Sequence, residues 1–411
     1  MAIIPRALAA TIERAMSSFP AVLITGARQT GKTTLLRAKY GGSHRYVSLE
    51  RPDVRARALA DPVAFFDEAG SPVIIDEIQY VPELLHHIKE RIDADRTPGQ
   101  WLLTGSQSFP LMQGITQTLA GRIAVLTLDP LSTAEVLERP TERGFDTTLR
   151  RVFGKRGTAL RGERVPSIDL ADWLLRGGFP EPRLNPEVDR QLWFSSFVHT
   201  YLERDVRDLT QVADLGLFAR FLLLVAAGTG TVVNMTEIGR ELGVAGPTVK
   251  RWLSVLETSQ TIYLLQPYYR NLGKRIRKSP KLYLLDPGLA TFLVGLHTRE
   301  AVLQGPCLGR LTETAVVGEW LKCCRQHGEQ PGLYYWQASA GAEVDLIIEY
   351  GGALYGIEVK ATATPTPRHA EGLAHWLELA GPSASGVLAC RVDRPQALRP
   401  GVRAIPWHLA W

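Results

Sequence analysis

Short apolar runs alternate with amphipathic stretches along the first third of the chain. The apolar runs lie at 21–24, 45–49, 72–78, 100–106 and 123–128. Runs of this length predict buried β-strands, and the helical periodicity between them predicts α-helices, at 3–18, 51–68 and 82–93. Strands that alternate with helices are typical of a parallel sheet with helices on its faces. The pattern therefore predicts an α/β domain over residues 1–140.

Residues 141–215 show a less regular pattern. The stretch 138–165 is polar and basic, which fits either a solvated linker or an edge that faces nucleic acid. Helical periodicity then extends over 186–209. We therefore expect a linker followed by a helical lid in this part of the chain.

A helix, a glycine turn and a second helix are predicted within residues 216–298. Asn234 is a suitable N-cap for the first helix, Gly243 supplies the turn, and an apolar strand at 261–265 follows the second helix. This order is typical of a winged helix-turn-helix, which binds DNA in many proteins and docks onto protein in others.

The last unit, residues 299–411, combines one amphipathic helix with several strands. The helix is expected to begin at Glu313 and to end near residue 326. The strands are expected at 334–336, 343–348 and 355–360. The mixture of one long helix with short strands predicts a second α/β unit.

The composition is that of an ordinary globular protein. The chain has 411 residues, of which 45% are hydrophobic and 22% are charged. The net charge of +5 permits a nucleic-acid partner without requiring one. The four cysteines match no zinc-ligand spacing and fit reduced thiols. We find neither a signal-peptide core nor an apolar run long enough to cross a bilayer, so we expect a cytoplasmic protein with no membrane partner.

A glycine-rich loop follows the first predicted strand. Its sequence, GARQTGKTT, matches G-x-x-x-x-G-K-[ST] between a strand and a helix. Backbone N–H groups of such a loop bind phosphate, its lysine reaches the β- and γ-phosphates, and its hydroxyl binds Mg²⁺. The predicted phosphate-binding and Mg²⁺-binding residues are Gly26, Ala27, Arg28, Gln29, Thr30, Gly31, Lys32, Thr33 and Thr34, with Thr33 as the metal ligand.

Two acids end the strand predicted at 72–78. Asp76 is placed to hold Mg²⁺, directly or through water, and Glu77 is placed to polarise an attacking water. A strand that ends in acids can also be a solvated strand end. Because this strand follows a phosphate loop, the pair favours a nucleotide-hydrolysis site.

Polar residues at two further strand ends are candidates for the same site. Ser106, with Thr104 or Gln107, is placed to sense the γ-phosphate, or forms an ordinary polar turn. Arg122 is a candidate arginine finger, acting on its own chain or on a neighbouring subunit. A surface or salt-bridged arginine is an equally good interpretation.

These motifs together resemble the AAA+ superfamily. They are LITGARQTGKTTLL, VIIDEIQ, LLTGSQS and TLAGRIAVLTLDPLS. More narrowly, they resemble prokaryotic ATPases joined to a C-terminal module formerly of unknown function. The resemblance implies ATP binding with Mg²⁺, hydrolysis with catalytic roles for Lys32, Glu77, Ser106 and Arg122, and assembly into a homo-oligomer such as a hexameric ring.

Cations are dense in and after the predicted helix-turn-helix. Lys250 and Arg251 lie on its second helix, and six cations follow between Arg270 and Lys281, after two tyrosines. A basic hairpin beside aromatic residues suits a wing against a phosphate backbone. The predicted DNA-contacting residues are Lys250, Arg251, Lys274, Arg275, Arg277 and Lys278. The alternative is a protein-docking module whose cations are only solvated.

Acids and a lysine form a pattern in the last unit. Glu358 and Lys360 face the same way in a strand, Asp345 lies on the preceding strand, and Glu313 lies on the helix. This set resembles the PD-(D/E)xK nuclease superfamily. The resemblance implies a restriction-endonuclease-like α/β domain in which Asp345 and Glu358 hold Mg²⁺. A retained fold without activity is the alternative.

Three functional hypotheses follow. In the leading one, ATP turnover by an oligomer remodels duplex or branched DNA, or drives movement along it. In the second, the chain is an ATP-gated, Mg²⁺-dependent DNA nuclease in defence or mobile-element control. In the third, the nucleotide state controls protein docking through the winged helix.

Overall fold

Five parallel strands form the N-terminal sheet of this computed structural model, which describes residues 4–105, 115, 118–139, 144–154, 166–201, 214–269, 279–330, 332–338 and 341–410. The strands are β1 (Ala21–Thr25), β2 (Arg45–Ser48), β3 (Val73–Asp76), β4 (Trp101–Thr104) and β5 (Ile123–Thr127). Their order is β2-β3-β4-β1-β5, and every pair is parallel. The predicted parallel-sheet α/β domain is thereby confirmed.

Helices cover both faces of this sheet. They are α1 (Leu8–Met16), α2 (Lys32–Tyr40), α3 (Pro52–Ala60), α4 (Pro62–Ala69) and α5 (Leu84–Ala94). Side chains alternate along β1, so that Leu23 packs in the cluster with α3, α4 and α5, whereas Val22 and Ile24 pack in the cluster with α1 and α2. Pro62 separates α3 from α4, and Asp61 caps α4 through the Ala64 N–H.

The middle of the chain is helical. Its helices are α6 (Thr133–Val136), α7 (Phe145–Phe153), α8 (Leu170–Arg176), α9 (Pro180–Leu184), α10 (Arg190–Tyr201) and α11 (Leu215–Ala227). The prediction of a solvated linker is wrong for α7, because Phe145, Leu149 and Val152 are buried in the core. The basic residues of this stretch alternate with apolar ones at helical spacing, which places one face of α7 inward.

A helix-turn-helix and three short strands come next. The helices are α12 (Met235–Leu242) and α13 (Gly246–Thr258), and Gly243 between them has a φ of 70°. The strands are β6 (Thr231–Val232), β7 (Ile262–Pro267) and β8 (Lys281–Leu284). Strand β8 pairs antiparallel with both β6 and β7.

The C-terminal domain extends this small sheet into a large mixed one. Helices α14 (Pro287–Leu293) and α15 (Arg299–Gln304) lead to a long helix, α16 (Leu308–Gln326). The later elements are β9 (Leu333–Gln337), β10 (Glu343–Tyr350), β11 (Ala353–Val359), α17 (Glu371–Ala380), β12 (Ala384–Cys390), β13 (Gln396–Arg399) and β14 (Val402–Pro406). The sheet order is β13-β14-β12-β11-β10-β9-β7-β8-β6. Because β7 pairs with β9, the helix-turn-helix and the C-terminal domain share one sheet and one core.

Helix α16 is longer than predicted and touches both domains. It begins at Leu308, so Glu313 lies inside the helix instead of at its start. Farther along, Glu319 Oε2 accepts hydrogen bonds from the N–H and the hydroxyl of Thr133, at 2.7 and 2.6 Å. Lys322 Nζ donates to the Leu131 carbonyl at 3.0 Å. The segment after β5 therefore attaches the N-terminal domain to α16.

All four cysteines are free thiols, three of them buried. Within the described parts of the chain, no helix combines the length and the apolar character that a membrane crossing requires.

Candidate functional site

The glycine-rich loop connects β1 to α2 and requires glycine at both ends. Gly26 has a φ of 136°, and a Cβ at this position would lie 2.2 Å from the Leu128 carbonyl oxygen. Gly31 has a φ of 91° and is the N-cap of α2, without a side-chain hydrogen bond to the helix. Residues with a Cβ rarely adopt either conformation. The first N–H groups of α2 are thus left to an anion instead of a capping side chain.

Lys32 begins α2 and directs its ammonium back into the loop. Its Nζ donates to the carbonyl oxygens of Gly26 at 3.0 Å and Ala27 at 2.8 Å. The residue is only 6% exposed. Its charge therefore lies within the loop that the sequence predicts to bind phosphate.

The buried Asp76 carboxylate accepts hydrogen bonds from three hydroxyl groups. Thr33 Oγ1 donates to Oδ1 at 2.8 Å, and the Tyr46 hydroxyl donates to Oδ2 at 2.8 Å. The Thr104 hydroxyl also donates to Oδ1. Burial and the hydrogen bond to Asp76 raise the pKa of Tyr46 to about 12, so this phenol stays a donor. The three hydroxyls come from α2, β2 and β4, and they join these elements to the end of β3.

Glu77 follows in a left-handed conformation, with a φ of 60°. Its N–H donates to Thr104 Oγ1 at 3.1 Å, and its carboxylate accepts a hydrogen bond from Gln79. Left-handed backbone at a non-glycine residue is strained and is often found at functional sites. Thr104 therefore connects to both acids, and it is the member of the predicted Thr104–Gln107 group that the structure places here.

The Thr33 and Asp76 oxygens fit a Mg²⁺ ion. Octahedral Mg²⁺ with ligands at 2.0–2.1 Å places neighbouring ligands about 3 Å apart. Thr33 Oγ1 and Asp76 Oδ1 are 2.8 Å apart, and both are the hard oxygen donors that Mg²⁺ prefers. A bound Mg²⁺ would neutralise charge on the β- and γ-phosphates.

Arg6, just before α1, braces the glycine-rich loop, a role that sequence reasoning missed. One guanidinium nitrogen donates to the Thr30 carbonyl at 2.7 Å, and a second donates to the Asp129 carbonyl at 2.6 Å. The third, Nε, pairs with Glu135 at 3.0 Å, and both side chains are buried. No local sequence motif identifies Arg6, because its partners lie far away in the sequence.

Arg122 does not reach the glycine-rich loop of its own chain. It precedes β5, and the register of β1 with β5 sets Ala21 opposite Ile123. Arg122 therefore lies at the amino-terminal edge of the sheet, whereas the loop lies at the carboxyl edge, about 16 Å away at about 3.3 Å per residue. There it pairs with Asp93 at 2.7 Å. The prediction that Arg122 acts as an arginine finger on its own chain is therefore wrong, and the prediction that it acts on a neighbouring subunit stays a prediction.

Ser106, the predicted γ-phosphate sensor, lies outside the described residues.

In the C-terminal domain, three carboxylates converge on the Lys281 ammonium. Lys281 Nζ lies 2.9 Å from Glu313 Oε1 and 3.8 Å from Asp345 Oδ1, and it is also bonded to the Glu343 carboxylate. The Tyr283 hydroxyl donates to Glu313 Oε1 at 2.6 Å. The sequence predicts Lys281 as one of the cations of a basic hairpin. This prediction is wrong for Lys281, because its side chain is buried and paired with acids. We call Glu313, Glu343 and Asp345 the carboxylate cluster.

Glu358 and Lys360 lie beside the carboxylate cluster, on the same side of β11 as predicted. Lys360 Nζ donates to Glu358 Oε1 at 2.5 Å, and Asp345 Oδ2 accepts from the Val359 N–H at 2.8 Å. Burial and the charge of Asp345 raise the pKa of both Glu313 and Glu358 to about 8. The carboxylate cluster and Glu358 together therefore contain more carboxyl groups than Lys281 and Lys360 can neutralise. Glu343 is a further acid that sequence reasoning missed.

The predicted DNA-contacting cations are described only in part. Lys250 and Arg251 are exposed on α13. The remaining four, Lys274, Arg275, Arg277 and Lys278, lie outside the described residues.

Three parts of the chain match described families. Residues 18–137 match the family described as AAA domain, and residues 167–300 and 308–410 match two domains of unknown function, DUF8612 and DUF4143. The uncharacterized proteins Rv2008c of Mycobacterium tuberculosis and Mb2031c of Mycobacterium bovis are each 30% identical over 362 residues, 88% of this chain and 75% of the relative. The chain belongs to the same family as these two proteins.

The AAA domain of this family contains the glycine-rich loop, Asp76 and Glu77. The N-terminal domain is thus a P-loop ATPase domain, and the protein is an ATPase that binds and hydrolyses ATP. Among solved structures, the Walker-type ATPase PABY2304 of Pyrococcus abyssi aligns over 71% of this chain and 96% of its own, with 16% identity and a TM-score of 0.45.

Proposed function

We propose that this ATPase binds DNA and uses ATP turnover to remodel duplex or branched DNA, or to move along it. One observation carries the proposal. Helices α12 and α13 are joined at a left-handed Gly243. Strand β6 precedes them, β7 and β8 follow them, and the three strands pair as a small antiparallel sheet, which is the element order of a winged helix. The exposed residues Lys250 and Arg251 lie on the second helix, and neither forms an ion pair with a described residue.

Exposed cations on the second helix suit a phosphate backbone. In winged helices this helix enters the major groove, and nearby cations neutralise phosphates and release counterions. The chain between β7 and β8 contains Lys274, Arg275, Arg277 and Lys278, which the sequence pattern predicts as part of a wing. Four further cations there would add to the same electrostatic attraction.

Equilibrium binding of a fluorescent duplex tests the DNA contact. The double variant Lys250→Glu/Arg251→Glu removes two positive charges and adds two negative ones. We expect its affinity to fall at least about 10-fold and the slope of log K against log salt to shrink by about 2.

A control variant separates local contact from net charge. Arg96→Glu/Arg394→Glu makes the same change of charge at two exposed positions outside the helix-turn-helix. Equal losses in both variants, or binding of the wild type that salt leaves unchanged, would contradict the proposal. Salt-insensitive capture of protein by the same surface would favour the docking switch instead.

We propose that the ATPase works as a homo-oligomer, with Arg122 acting on the neighbouring site. Its position at the sheet edge opposite the loop supports a role between subunits. Mixing Lys32→Ala with Arg122→Ala chains tests this directly. The mixture should recover part of the ATP turnover that each variant lacks, whereas additive inactivity would contradict shared sites.

A second candidate function is a Mg²⁺-dependent nuclease with a restriction-endonuclease-like C-terminal domain. It is favoured by the positions of Asp345, Glu358 and Lys360 on neighbouring strands beside α16. The two carboxylates could hold a metal ion, and the lysine could supply positive charge beside the attacking water. Plasmid cleavage that is lost in Asp345→Ala and in Glu358→Ala would support it. A plasmid that stays intact in the presence of Mg²⁺ and of Mn²⁺ would rule out the nuclease function.

A further inference from the structure

We propose that Tyr46 is a positioning residue for the Mg²⁺ ion of the ATP site, because its hydroxyl holds one oxygen of the Asp76 carboxylate so that the other oxygen faces the ion. Tyr46 lies on β2, outside the motifs that predict the ATP site. The inference concerns the ATPase reaction alone and does not depend on DNA being the partner.

The two oxygens of the Asp76 carboxylate have different partners. Oδ1 accepts hydrogen bonds from Thr33 Oγ1, at 2.8 Å, and from the Thr104 hydroxyl. Oδ2 accepts a hydrogen bond from the Tyr46 hydroxyl at 2.8 Å. Thr33 Oγ1 and Asp76 Oδ1 are the pair of oxygens whose spacing fits Mg²⁺. Oδ1 is therefore the oxygen on the side of the ion, and Tyr46 holds the carboxylate by its other oxygen.

The orientation of the Asp76 carboxylate has to be set by its partners. The terminal torsion of an aspartate side chain has broad energy wells, so a carboxylate with a free oxygen turns easily. Mg²⁺ requires nearly ideal octahedral geometry, so a turn of its ligand weakens binding. Groups that orient a metal ligand by hydrogen bonds contribute about 10–100-fold to metal affinity. The Tyr46 hydroxyl has the position of such a group, because it restrains this turn at Oδ2.

The sheet and α2 hold the Tyr46 ring in place. In the parallel pair of β2 and β3, Tyr46 lies opposite Ile74, two residues before Asp76. Ile74 and Asp76 face the same side of the sheet, and the long phenol spans the offset between them. The Arg37 guanidinium of α2 stacks over the ring, 4.7 Å from its centroid. The ring is thus held at its face by Arg37 and at its hydroxyl by Asp76.

Binding of Mn²⁺ to the full chain in the presence of ADP, followed by the paramagnetic resonance of the free ion, tests this inference. The binding that disappears in Asp76→Asn belongs to the ATP site. Tyr46→Phe keeps the ring and its contact with Arg37 and removes only the hydroxyl. We expect this variant to bind Mn²⁺ at the ATP site at least about 10-fold more weakly than the wild type.

Tyr40→Phe is the matched control. Tyr40 is a buried tyrosine of α2, and its hydroxyl has no hydrogen-bond partner among the described residues. Its loss should leave the affinity for Mn²⁺ unchanged. Equal losses of affinity in the two variants, or an unchanged affinity in Tyr46→Phe, would overturn the inference.

Displacement of Mn²⁺ by Mg²⁺ and by Ca²⁺ shows whether orientation is the cause. Ca²⁺ accepts irregular coordination, whereas Mg²⁺ does not. Tyr46→Phe should therefore lose more affinity for Mg²⁺ than for Ca²⁺. Equal losses for the two ions would contradict a role of Tyr46 in orienting the carboxylate.

Binding of ADP without a divalent ion shows whether the rest of the site is intact in Tyr46→Phe. The glycine-rich loop and Lys32 are unchanged in this variant, so its metal-free affinity for ADP should equal that of the wild type. In ATP turnover, the Mg²⁺ concentration that gives half of the maximal rate should rise at least about 10-fold, while kcat at saturating Mg²⁺ stays close to that of the wild type. Loss of metal-free ADP binding, or a low kcat that excess Mg²⁺ does not restore, would mean that Tyr46 supports the whole domain and would overturn the inference.

Discussion

The Arg6 guanidinium donates a 2.7 Å hydrogen bond to the Thr30 carbonyl in the middle of the glycine-rich loop. The same side chain binds the Asp129 carbonyl and the Glu135 carboxylate. The segment that contains these two acids is attached to α16 of the C-terminal domain, through Arg325 among others. The position of the loop is therefore tied to the junction between the two domains.

Replacing Arg6 by alanine should weaken ATP binding. The loss of a charge-assisted hydrogen bond to the loop is worth about 1.5–3 kcal/mol, so we expect the KM for ATP to rise at least about 10-fold. Breaking the buried pair with Glu135 should also lower stability, by about 3–5 kcal/mol. Steady-state kinetics below the melting temperature measures the first effect, and thermal melting the second.

Arg325→Ala is the matched control for Arg6→Ala. Arg325 pairs with Asp129 Oδ1 at 2.6 Å and leads to the same segment, but it is not bonded to the loop. This variant should lose stability while its KM for ATP stays close to that of the wild type. Equal increases in KM would show that general destabilisation, rather than support of the loop, explains the effect of Arg6.

Thr104→Val should slow hydrolysis more than it weakens ATP binding. The Thr104 hydroxyl donates to the Asp76 carboxylate and accepts from the Glu77 N–H. Valine removes both hydrogen bonds, so Asp76 and Glu77 lose the group that holds them in position. Two lost hydrogen bonds correspond to about 1–3 kcal/mol, and kcat should fall at least about 10-fold. Thr104→Ser keeps the hydroxyl and should restore most of the rate, whereas a normal kcat in the valine variant would refute this role.

Gly26→Ala should destabilise the N-terminal domain. The new Cβ would meet the Leu128 carbonyl oxygen at 2.2 Å, in a backbone conformation with a φ of 136°. Strain of this kind is worth at least about 2 kcal/mol. Gly42→Ala, where a Cβ meets nothing within 4 Å, should change stability by no more than about 1 kcal/mol. Similar urea-denaturation midpoints for the two variants would contradict this explanation of the loop glycine.

The ATP site was largely predictable because its signals are local. Gly26 lies in the glycine-rich loop, and Lys32 and Thr33 lie in the first turn of the helix that follows it. Asp76 and Glu77 come at the end of one strand, so the residue types and their order along the chain were sufficient to predict that these residues form one site. The parallel order of strands then explains why Asp76 lies near Thr33: the carboxyl ends of β1, β3 and β4 meet at one edge.

The remaining contacts depend on pairings distant in sequence. Arg6 meets Glu135 across 129 positions, and Lys281 meets Glu313 across 32. A lysine in a basic stretch predicts an exposed cation, but strand alternation directs Lys281 toward Glu313 of α16 and toward the two acids of β10. The register of β1 with β5 likewise decided that Arg122 lies at the far edge of its own sheet.

Acid should destabilise the protein in part through His408. Burial lowers the pKa of His408, opposed by its hydrogen bond with the Pro166 carbonyl and by the charge of Glu319. The unfolded chain therefore takes up this proton at higher pH than the folded one. The stabilisation is present above about pH 6.5 and is lost as the pH falls, by at most about 1.4 kcal/mol per pH unit.

Melting curves across this pH range measure the contribution of His408. His408→Gln cannot take up the proton and should flatten the loss of melting temperature on acidification. His86→Gln, at an exposed position, should leave the curve unchanged. A slope in the His408 variant equal to that of the wild type would show that other groups cause the acid sensitivity.

The rate of ATP hydrolysis with and without DNA tests most directly whether ATP turnover at the glycine-rich loop serves work on DNA. Single-stranded, duplex and four-way DNA should be compared at low and high salt, with Lys32→Ala as the control for the site. We expect at least one DNA form to raise the wild-type rate severalfold at low salt, the increase to fade at high salt, and Lys32→Ala to hydrolyse no ATP. A rate that no DNA form changes at low salt, or turnover retained in Lys32→Ala, would contradict this function.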